Sequence, residues 1–228
     1  MGANAVVGPG APRVGASAHR GTRRDSVLLA MAADPAMAMD HEFPNLRADV
    51  VAGYRNASDL VTAEIVDGQL FTMPRPATPH AVASTGLGDE LGPPFRRGRG
   101  GPGGWVFLDE PELHLGATPD IVAPDLAGWR RERMPAIPDT AAITLAPDWI
   151  CEVLSERTEA RDRGRKMRVY RREGVAHYWL VDPHLHTLEV YRLENGRYTL
   201  VDTWEGDEKV RAEPFDAIEL DLATLWAR

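Results

Sequence analysis

The sequence predicts a mixed α/β fold of the α+β type, with a central sheet of about six strands. Three observations favour this class. Extended apolar segments recur from residue 63 onward, only two or three stretches have helical spacing, and one of those helices lies between two strands. So few helices beside such a sheet are typical of α+β or mixed α/β proteins. The 228 residues are sufficient for one domain with a substantial core.

Residues 1–40 are predicted to be a disordered leader, and residues 41–228 a single domain. The leader has ten alanines, five glycines and no aromatic residue, so little in it offsets the entropy cost of ordering. Two alternatives stay open. Residues 22–38 combine paired arginines, a short apolar run and an Ala-x-Ala end, which are parts of an export signal. The segment also fits an upstream extension of a body that begins near Met31 or a later methionine.

The first predicted elements are a hairpin, a helix and a basic loop. Residues 63–74 place Asp67 and Gly68 between two apolar runs, and this dipeptide favours a type I′ turn, which needs positive φ at both central residues. Residues 80–91 have weak helical spacing. Residues 93–104 contain five glycines, three prolines and three arginines, which indicates a flexible basic loop.

The middle of the chain is predicted to be rich in strands. Residues 105–115 and 118–129 have strand character, and an internal proline interrupts each of them. A linker over residues 130–147 leads to residues 148–155, whose continuous apolar character is typical of a central strand covered on both faces.

A basic helix and three strands complete the predicted fold. The helix covers residues 158–173 and ends at Gly174. The strands cover residues 176–183, 187–193 and 197–204. Because the helix connects two strands, we expect those two strands to be parallel and their connection to be right-handed.

Composition excludes several classes of protein. Cys151 is the one cysteine, which excludes an intramolecular disulfide and a multi-cysteine zinc site. No run approaches the roughly 20 apolar residues that span a bilayer. We therefore expect a cytoplasmic protein.

The charge is unevenly distributed around a net value of −8. Residues 157–172 contain eight basic residues and two acidic ones, whereas residues 173–228 contain twelve acidic residues and five basic ones. This asymmetry favours one face shaped for an anion on an acidic body. A solvated arginine-rich helix would give the same pattern.

Carboxylates in the predicted strands are candidates for a cation site. Glu152 lies in an otherwise apolar strand, where a glutamate is costly unless it is paired, protonated or bound to a cation. Acids on neighbouring strands, about 4.8 Å apart, can share one hard cation. Asp120 and Asp125 point to opposite faces of an uninterrupted strand, so only one should reach that cation. Spacing does not choose between them, because a bulge at Pro124 would change the alternation.

The predicted helix carries a candidate lysine. Asp162, Lys166 and Tyr170 lie along one helix face. If that face packs toward the strand end, an ammonium comes beside the carboxylates. Carboxylates that bind a divalent metal, with a lysine that positions water, are the apparatus of metal-dependent phosphodiester hydrolysis. The same spacing also fits an ordinary helix-face ion pair.

Two segments carry a recognisable order of motifs. Residues 124–135 read PDLAGWRRERMP, and residues 147–183 read PDWICEVLSERTEARDRGRKMRVYRREGVAHYWLVDP. Their EVLS, DxxxK and GVxxYWLVDP elements resemble the Uma-two family of restriction endonucleases, a branch of the PD-(D/E)xK superfamily. The resemblance covers residue 63 to the C-terminus.

The resemblance implies a restriction endonuclease-like core and a metal-dependent endonuclease. It implies that Asp125 is the PD aspartate and Glu152 the second acid, both ligands of Mg²⁺ or Mn²⁺. Glu64 is implied as an accessory glutamate. The superfamily's lysine position holds Leu154 in this chain, so we expect Lys166 to supply the ammonium from the helix and to orient the attacking water.

Arginines are the expected contacts to nucleic acid, and DNA is the expected substrate. Arg96 and Arg97 belong to the basic loop, and Arg161 and Arg165 to the basic helix. A surface that contacts phosphates predicts salt-sensitive binding with little sequence readout. Superfamily members cut both strands as symmetric pairs, so a homodimer is a further expectation.

Two other functions fit the same residues. A catalytically silent domain would keep the fold and bind nucleic acid or protein without metal. A structural interaction module would use its buried acids only for packing and ion pairing. His184 and His186 are expected to be exposed imidazoles at a turn, and Cys151 a buried packing residue without nucleophilic function.

Overall fold

Two β-sheets, three helices and a short C-terminal ladder make up the part of the chain that the structure describes. The computed structural model describes Phe43 and residues 45–226, and the predicted leader over residues 1–40 lies outside the described residues. The helices are α1 (Ala48–Arg55), α2 (Thr78–Leu91) and α3 (residues 159–172). The strands are β1 (Val61–Val66), β2 (Gln69–Pro74), β3 (Trp105–Asp109), β4 (Leu113–Leu115), β5 (Asp120–Val122), β6 (Leu126–Arg130), β7 (Trp149–Val153), β8 (His177–Asp182), β9 (Thr187–Glu194), β10 (Arg197–Glu205), β11 (Lys209–Val210) and β12 (Leu220–Asp221).

The strands form a mixed architecture with one parallel pair. The larger sheet has the order β10-β9-β8-β7-β6-β3, the smaller sheet has the order β2-β1-β5-β4, and β11 pairs with β12. β7 and β8, which α3 connects, are parallel. The predicted mixed α/β class and the predicted parallel pair are both confirmed.

The prediction of one sheet of about six strands was incomplete. Among the described strands, six do form one sheet, but β1, β2, β4 and β5 form a second one. The chain changes sheets between β5 and β6, at Pro124 and Asp125. Proline cannot donate a ladder hydrogen bond, so the interruption that the sequence predicts is the point where one ladder ends.

The predicted hairpin is confirmed and has the expected turn. Val66 pairs with Gln69 across it, and Asp67 and Gly68 have φ values of 51° and 69°. These are the two positive angles that a type I′ turn requires.

The basic loop is shorter than predicted. Its first residues, 93–96, belong to the π-helical turn Gly92–Arg96, which continues α2. The ring of Phe95 is buried and lies 4.8 Å from the ring of Phe215, so aromatic packing holds this turn against the core. Arg96 and Arg97 are exposed beyond it.

The two faces of β7 lie in different hydrophobic clusters. Trp149 and Val153 belong to the cluster that includes the buried residues of α2, whereas Ile150 belongs to the cluster that includes Tyr170 of α3. All five residues of β7 are buried, as expected for a doubly covered strand. Because side chains alternate along a strand, Glu152 shares the face of Ile150 and points toward α3.

Candidate active site

Asp125 and Glu152 lie side by side where the two sheets meet. β6 and β7 are antiparallel, and Leu126 pairs with Cys151, so the next pair along the ladder brings Asp125 opposite Glu152. The backbone N–H of Val153 donates a 2.7 Å hydrogen bond to Oδ2 of Asp125. This bond fixes the carboxylate at the break between β5 and β6.

Asp120, the other candidate from sequence, lies in a different environment. Its Oδ1 accepts a 2.6 Å hydrogen bond from the backbone N–H of Asp67, and its Oδ2 pairs with Arg172 at 2.6 Å. Asp120 therefore joins the hairpin to α3, and Asp125 is the aspartate beside Glu152.

Glu64 and Lys166 complete a buried cluster with Glu152. Nζ of Lys166 lies 2.9 Å from Oε1 of Glu64 and 2.7 Å from Oε1 of Glu152. The three side chains are each 3% exposed or less. Glu64 comes from the smaller sheet, Glu152 from the larger sheet and Lys166 from α3, so the ammonium joins three elements.

A π-helical turn in α3 carries the lysine. The segments Glu159–Arg161 and Met167–Arg172 are α-helical, and Asp162–Lys166 between them is π-helical. Asp162 and Lys166 are both buried, and Nζ of Lys166 lies 3.9 Å from Oδ1 of Asp162. Turns of this type are frequent at functional sites, and this one directs two ionisable side chains inward.

The electrostatics of the cluster favour a cation. Burial alone would lower the pKa of Lys166, but Glu152, Glu64 and a third carboxylate outweigh it, so the pKa is raised and the ammonium stays charged. Burial raises the pKa of Glu152 well above its usual range, Lys166 opposes that shift, and the neighbouring carboxylates add to it. Crowded carboxylates of this kind are stabilised by added positive charge.

Two further side chains contact the acids. Tyr170 donates a 2.6 Å hydrogen bond from its hydroxyl to Oε1 of Glu152. Nε2 of His80, in the first turn of α2, lies 3.2 Å from Oδ1 of Asp125. Burial lowers the pKa of His80, but the hydrogen bond to Asp125 and the negative charges of Asp125 and other nearby carboxylates together outweigh burial and raise it.

The acids, Lys166 and His80 line one cavity of about 610 Å³, and Tyr170 is not part of its wall. Arg75 and Arg157 are exposed residues of its wall, and His184 also lines it. No local pattern in the sequence indicates these two arginines as site residues, because only the folded chain brings the end of β2 beside the start of α3. The spacing of Asp162 relative to Lys166 was visible in the sequence, but not its burial.

The predicted nucleic-acid contacts lie in three different places. Arg161 lines the cavity, is 11% exposed, and has Nη2 3.4 Å from Oε2 of Glu64. Arg165 is more exposed and lies 3.6 Å from a carboxylate oxygen of Asp67. Arg96 and Arg97 follow the far end of α2, which at 1.5 Å per residue is about 20 Å from the cavity end.

The expected anion-binding face of α3 is largely neutralised within the chain. Arg163 forms a two-pronged pair with Glu189, at 2.8 and 2.6 Å. Arg168 lies 3.6 Å from Asp67, and Arg172 pairs with Asp120. The basic run therefore serves mainly to hold α3 against both sheets.

The donor chemistry of the site fits a hard divalent cation. Its carboxylates offer oxygen ligands, and Oε2 of Glu64 and Oδ1 of Asp162 are buried and accept no hydrogen bond from the described residues, with only the ion pair from Arg161 at 3.4 Å on the first of them. No group of three or more potential ligand residues in residues 45–226 has the arrangement of a preformed metal site. Mg²⁺ commonly uses only one or two protein carboxylates and keeps several waters, so the Asp125 and Glu152 pair is sufficient.

The remaining candidates are structural. Cys151 is free and buried, and burial raises its thiol pKa well above the usual range, which disfavours a nucleophilic thiolate. His184 is exposed as predicted, but the prediction for His186 was wrong, since it is half-buried and its ring stacks on Trp226 at 4.9 Å. Within the described residues, no helix has both the length and the apolar character needed to cross a membrane.

Comparisons with known proteins agree with this architecture. A family model described as "Uma2: Putative restriction endonuclease" matches residues 53–223. A solved structure described as "a putative nuclease belonging to DUF820 from Anabaena variabilis ATCC 29413" aligns with a TM-score of 0.55 and 20% sequence identity, over 72% of this chain and 89% of that one. No curated protein matches. The structural likeness confirms the predicted nuclease-like fold.

Proposed function

The chain belongs to the Uma2 family of restriction endonucleases, and from that membership and the site geometry we propose that it is a metal-dependent endonuclease of DNA. The observation that carries the proposal is the 2.7 Å contact between Nζ of Lys166 and Oε1 of Glu152. This contact brings an ammonium to Glu152 of β7. The residue two positions after Glu152 is the buried Leu154, which carries no charge. The helix thus offers the charge that the strand lacks.

Each cluster residue has a proposed role. Asp125 and Glu152, with the Val153 carbonyl, would hold Mg²⁺ or Mn²⁺, which when bound stabilises the negative charge that develops on the phosphate. Lys166 donates a hydrogen bond to the attacking water and orients it. Glu64 holds the ammonium in reach of the cavity.

Two neighbours support these roles from outside the reacting atoms. His80 donates to Oδ1 of Asp125, which keeps Oδ2 on the N–H of Val153. Tyr170 donates to Oε1 of Glu152. Both contacts fix the direction of a carboxylate that faces the cavity, which lowers the reorganisation needed when the substrate binds.

We propose that the substrate phosphates follow the exposed arginines of the cavity. Arg75 and Arg157 line it, and Arg161 reaches Glu64 from its wall. Arg165 would add a weaker contact, because Asp67 shares its charge. A DNA duplex that also reaches Arg96 and Arg97 must extend about 20 Å along α2, or roughly six base pairs at 3.4 Å each.

The arginine contacts are tested by the salt dependence of DNA binding. The double variant Arg96→Ala with Arg97→Ala should reduce the slope of log K against log salt by about 1.8, since each phosphate contact contributes about 0.9. Arg211→Ala, an exposed arginine whose Nη1 donates to the carbonyl of Asp216, is the matched control. An unchanged slope in the double variant would remove Arg96 and Arg97 from the interface.

The activity itself is tested by plasmid nicking with Mg²⁺, with Mn²⁺ and with EDTA. We expect wild-type protein to nick only with metal, and Glu152→Gln to be inactive under all three conditions. Glu219→Gln, which changes an exposed glutamate outside the cavity, should match wild type. DNA binding without metal, no nicking and no effect of Glu152→Gln would instead identify a catalytically silent binding domain.

A further inference from the structure

Lysine is rare in this chain, and one of its two lysines is buried in the candidate active site. The sequence has 24 arginines but only two lysines, Lys166 and Lys209. The side chain of Lys209 is 60% exposed, and its Nζ lies 3.8 Å from Oδ2 of Asp221. The side chain of Lys166 is 3% exposed. An ammonium is a compact charge with three donors, and a guanidinium is a planar fork. Lys166 therefore places a compact charge with three donors between Glu64 and Glu152.

Lys166 occupies one carboxylate oxygen on each of Glu64 and Glu152. Its Nζ bonds Oε1 of both Glu64 and Glu152. Oε1 of Glu152 also accepts the Tyr170 hydroxyl at 2.6 Å, so that atom already has two close donors. In the present arrangement, Lys166 compensates both buried glutamates, and Arg161 adds a contact of 3.4 Å to Oε2 of Glu64.

A divalent cation on Glu152 would compete with this ammonium. Two positive charges beside one carboxylate in a buried site repel each other, and the repulsion is stronger there than in water. Coupling between two sites is reciprocal. If metal binding weakens the contact between Lys166 and Glu152 by some factor, that contact must weaken metal binding by the same factor.

The structure also offers the lysine a second partner. Oδ1 of Asp162 lies 3.9 Å from Nζ of Lys166, is buried, and accepts no hydrogen bond from the described residues. Rotation of the lysine side chain would turn this distant contact into a hydrogen bond. The ammonium would then remain compensated after leaving Glu152.

We propose that Lys166 is a resident counter-cation of the metal-free protein, which a divalent metal displaces from Glu152 toward Asp162. The inference rests on the proposed function, because it takes the metal to bind at Glu152. The step is an exchange of ionic contacts and makes or breaks no covalent bond. Through this exchange, Lys166 leaves Glu152 and can donate a hydrogen bond to water only when metal is bound.

The presence of only two lysines allows a direct test on the wild-type protein. Lysine labelled with carbon-13 at Cε should give two NMR signals, and Lys209→Met assigns them by removing one. We expect Mg²⁺ to shift the Lys166 signal and to leave the Lys209 signal unchanged. Calorimetric titration of the same sample shows independently whether Mg²⁺ binds.

The affinity of a variant gives the second measurement. Lys166→Met keeps the length of the side chain and removes its charge, so it should bind Mn²⁺ about tenfold more tightly than wild type, within the usual range of coupling between sites. Lys209→Met should bind Mn²⁺ like wild type. If Lys166→Met does not fold, the wild-type NMR titration decides alone.

The outcomes separate this inference from the proposed function. If Mg²⁺ binds but the Lys166 signal does not move, or if Lys166→Met binds Mn²⁺ no more tightly, the displacement is wrong while the metal site stands. If calorimetry detects no binding of either metal, both proposals are wrong.

Discussion

At the scale of single residues, each carboxylate of the candidate metal pair, Asp125 and Glu152, is compensated by only a few hydrogen-bond donors and cations. Glu152 depends on Lys166 and Tyr170 for its Oε1, and Asp125 depends on a backbone N–H and His80. A buried carboxylate that loses a donor is left with an uncompensated charge, which costs more than the loss of a hydrogen bond at the surface. Conservative changes at these positions should therefore have measurable effects.

Tyr170→Phe should destabilise the protein by about 1–3 kcal/mol, because its hydroxyl bonds a buried charged group. It should also reduce metal-dependent nicking. Tyr198→Phe is the control, since that hydroxyl donates to the neutral carbonyl of Val175; it should cost about 1 kcal/mol and leave nicking unchanged. Chemical denaturation and the nicking assay measure both quantities. Equal loss of nicking in the two variants would contradict a positioning role for Tyr170.

Residue patterns predicted part of this site. The periodicity of a helix correctly aligned Asp162, Lys166 and Tyr170, because residues four apart share a face whatever the tertiary fold. The choice of Asp125 over Asp120 depended on where β5 ends and β6 begins, which proline made ambiguous. The inward position of Arg161 depended on its contact with Glu64, which lies about 100 residues away in sequence, and no local pattern reports such a contact.

At the scale of elements, ion pairs and close packing hold each helix to its sheet. Arg163 and Glu189 join α3 to β9 through two hydrogen bonds, and Tyr191 donates a third to the same carboxylate. α2 is held on its other side by the 3₁₀ turn Leu222–Leu225, whose two buried leucines belong to the same core cluster as the buried residues of α2. Helix composition alone predicts neither attachment.

The attachment of α3 predicts a pH dependence of stability. The hydrogen bond from Arg163 lowers the pKa of Glu189, and burial opposes it less strongly. A carboxyl whose folded pKa is lowered contributes stability above its unfolded value of about 4.3 and loses it as the pH falls further. The Glu189→Gln variant should therefore be less stable than wild type near neutral pH. Its stability should also fall less steeply than that of wild type as the pH is lowered. Denaturation midpoints from pH 7 to pH 3 measure this, and parallel curves for the two proteins would refute it.

The attachment of α2 predicts opposite effects at two of its glycines. A Cβ at Gly86 would lie 2.6 Å from the backbone oxygen of Thr224, whereas a Cβ at Gly88 would meet no atom within 4 Å. Gly88→Ala should stabilise the protein by up to about 1 kcal/mol through helix propensity. Gly86→Ala should destabilise it despite the same gain, because the oxygen belongs to backbone and cannot move freely. Equal midpoints in thermal denaturation would contradict the observed contact.

At the scale of the whole molecule, the site lies where two sheets and one helix converge. The break at Pro124 lets the chain pass from the smaller to the larger sheet, and Asp125 follows it immediately. The sequence predicted the break and most strands, because turn residues and alternation are local signals. It did not predict the second sheet, since pairing of β1 with β5 joins segments far apart in the chain.

A whole-molecule prediction concerns assembly. Two active sites related by symmetry would cut both strands of a duplex in one binding event, so we propose that the working form is a homodimer. Sedimentation equilibrium at micromolar concentration should give twice the monomer mass, with or without DNA. A monomeric mass together with double-strand cleavage would show that one copy acts twice in succession.

The proposed function depends on the binding of a divalent cation by Asp125 and Glu152 beside Lys166. The most direct measurement is the thermal midpoint of wild type and of Glu152→Gln, each in EDTA and in excess Mg²⁺ or Mn²⁺. Metal that binds only the folded state at about 100 times its dissociation constant adds about 2.7 kcal/mol of stability. We predict that metal raises the midpoint of wild type and leaves that of Glu152→Gln unchanged. A wild-type midpoint that neither metal moves would contradict the claim.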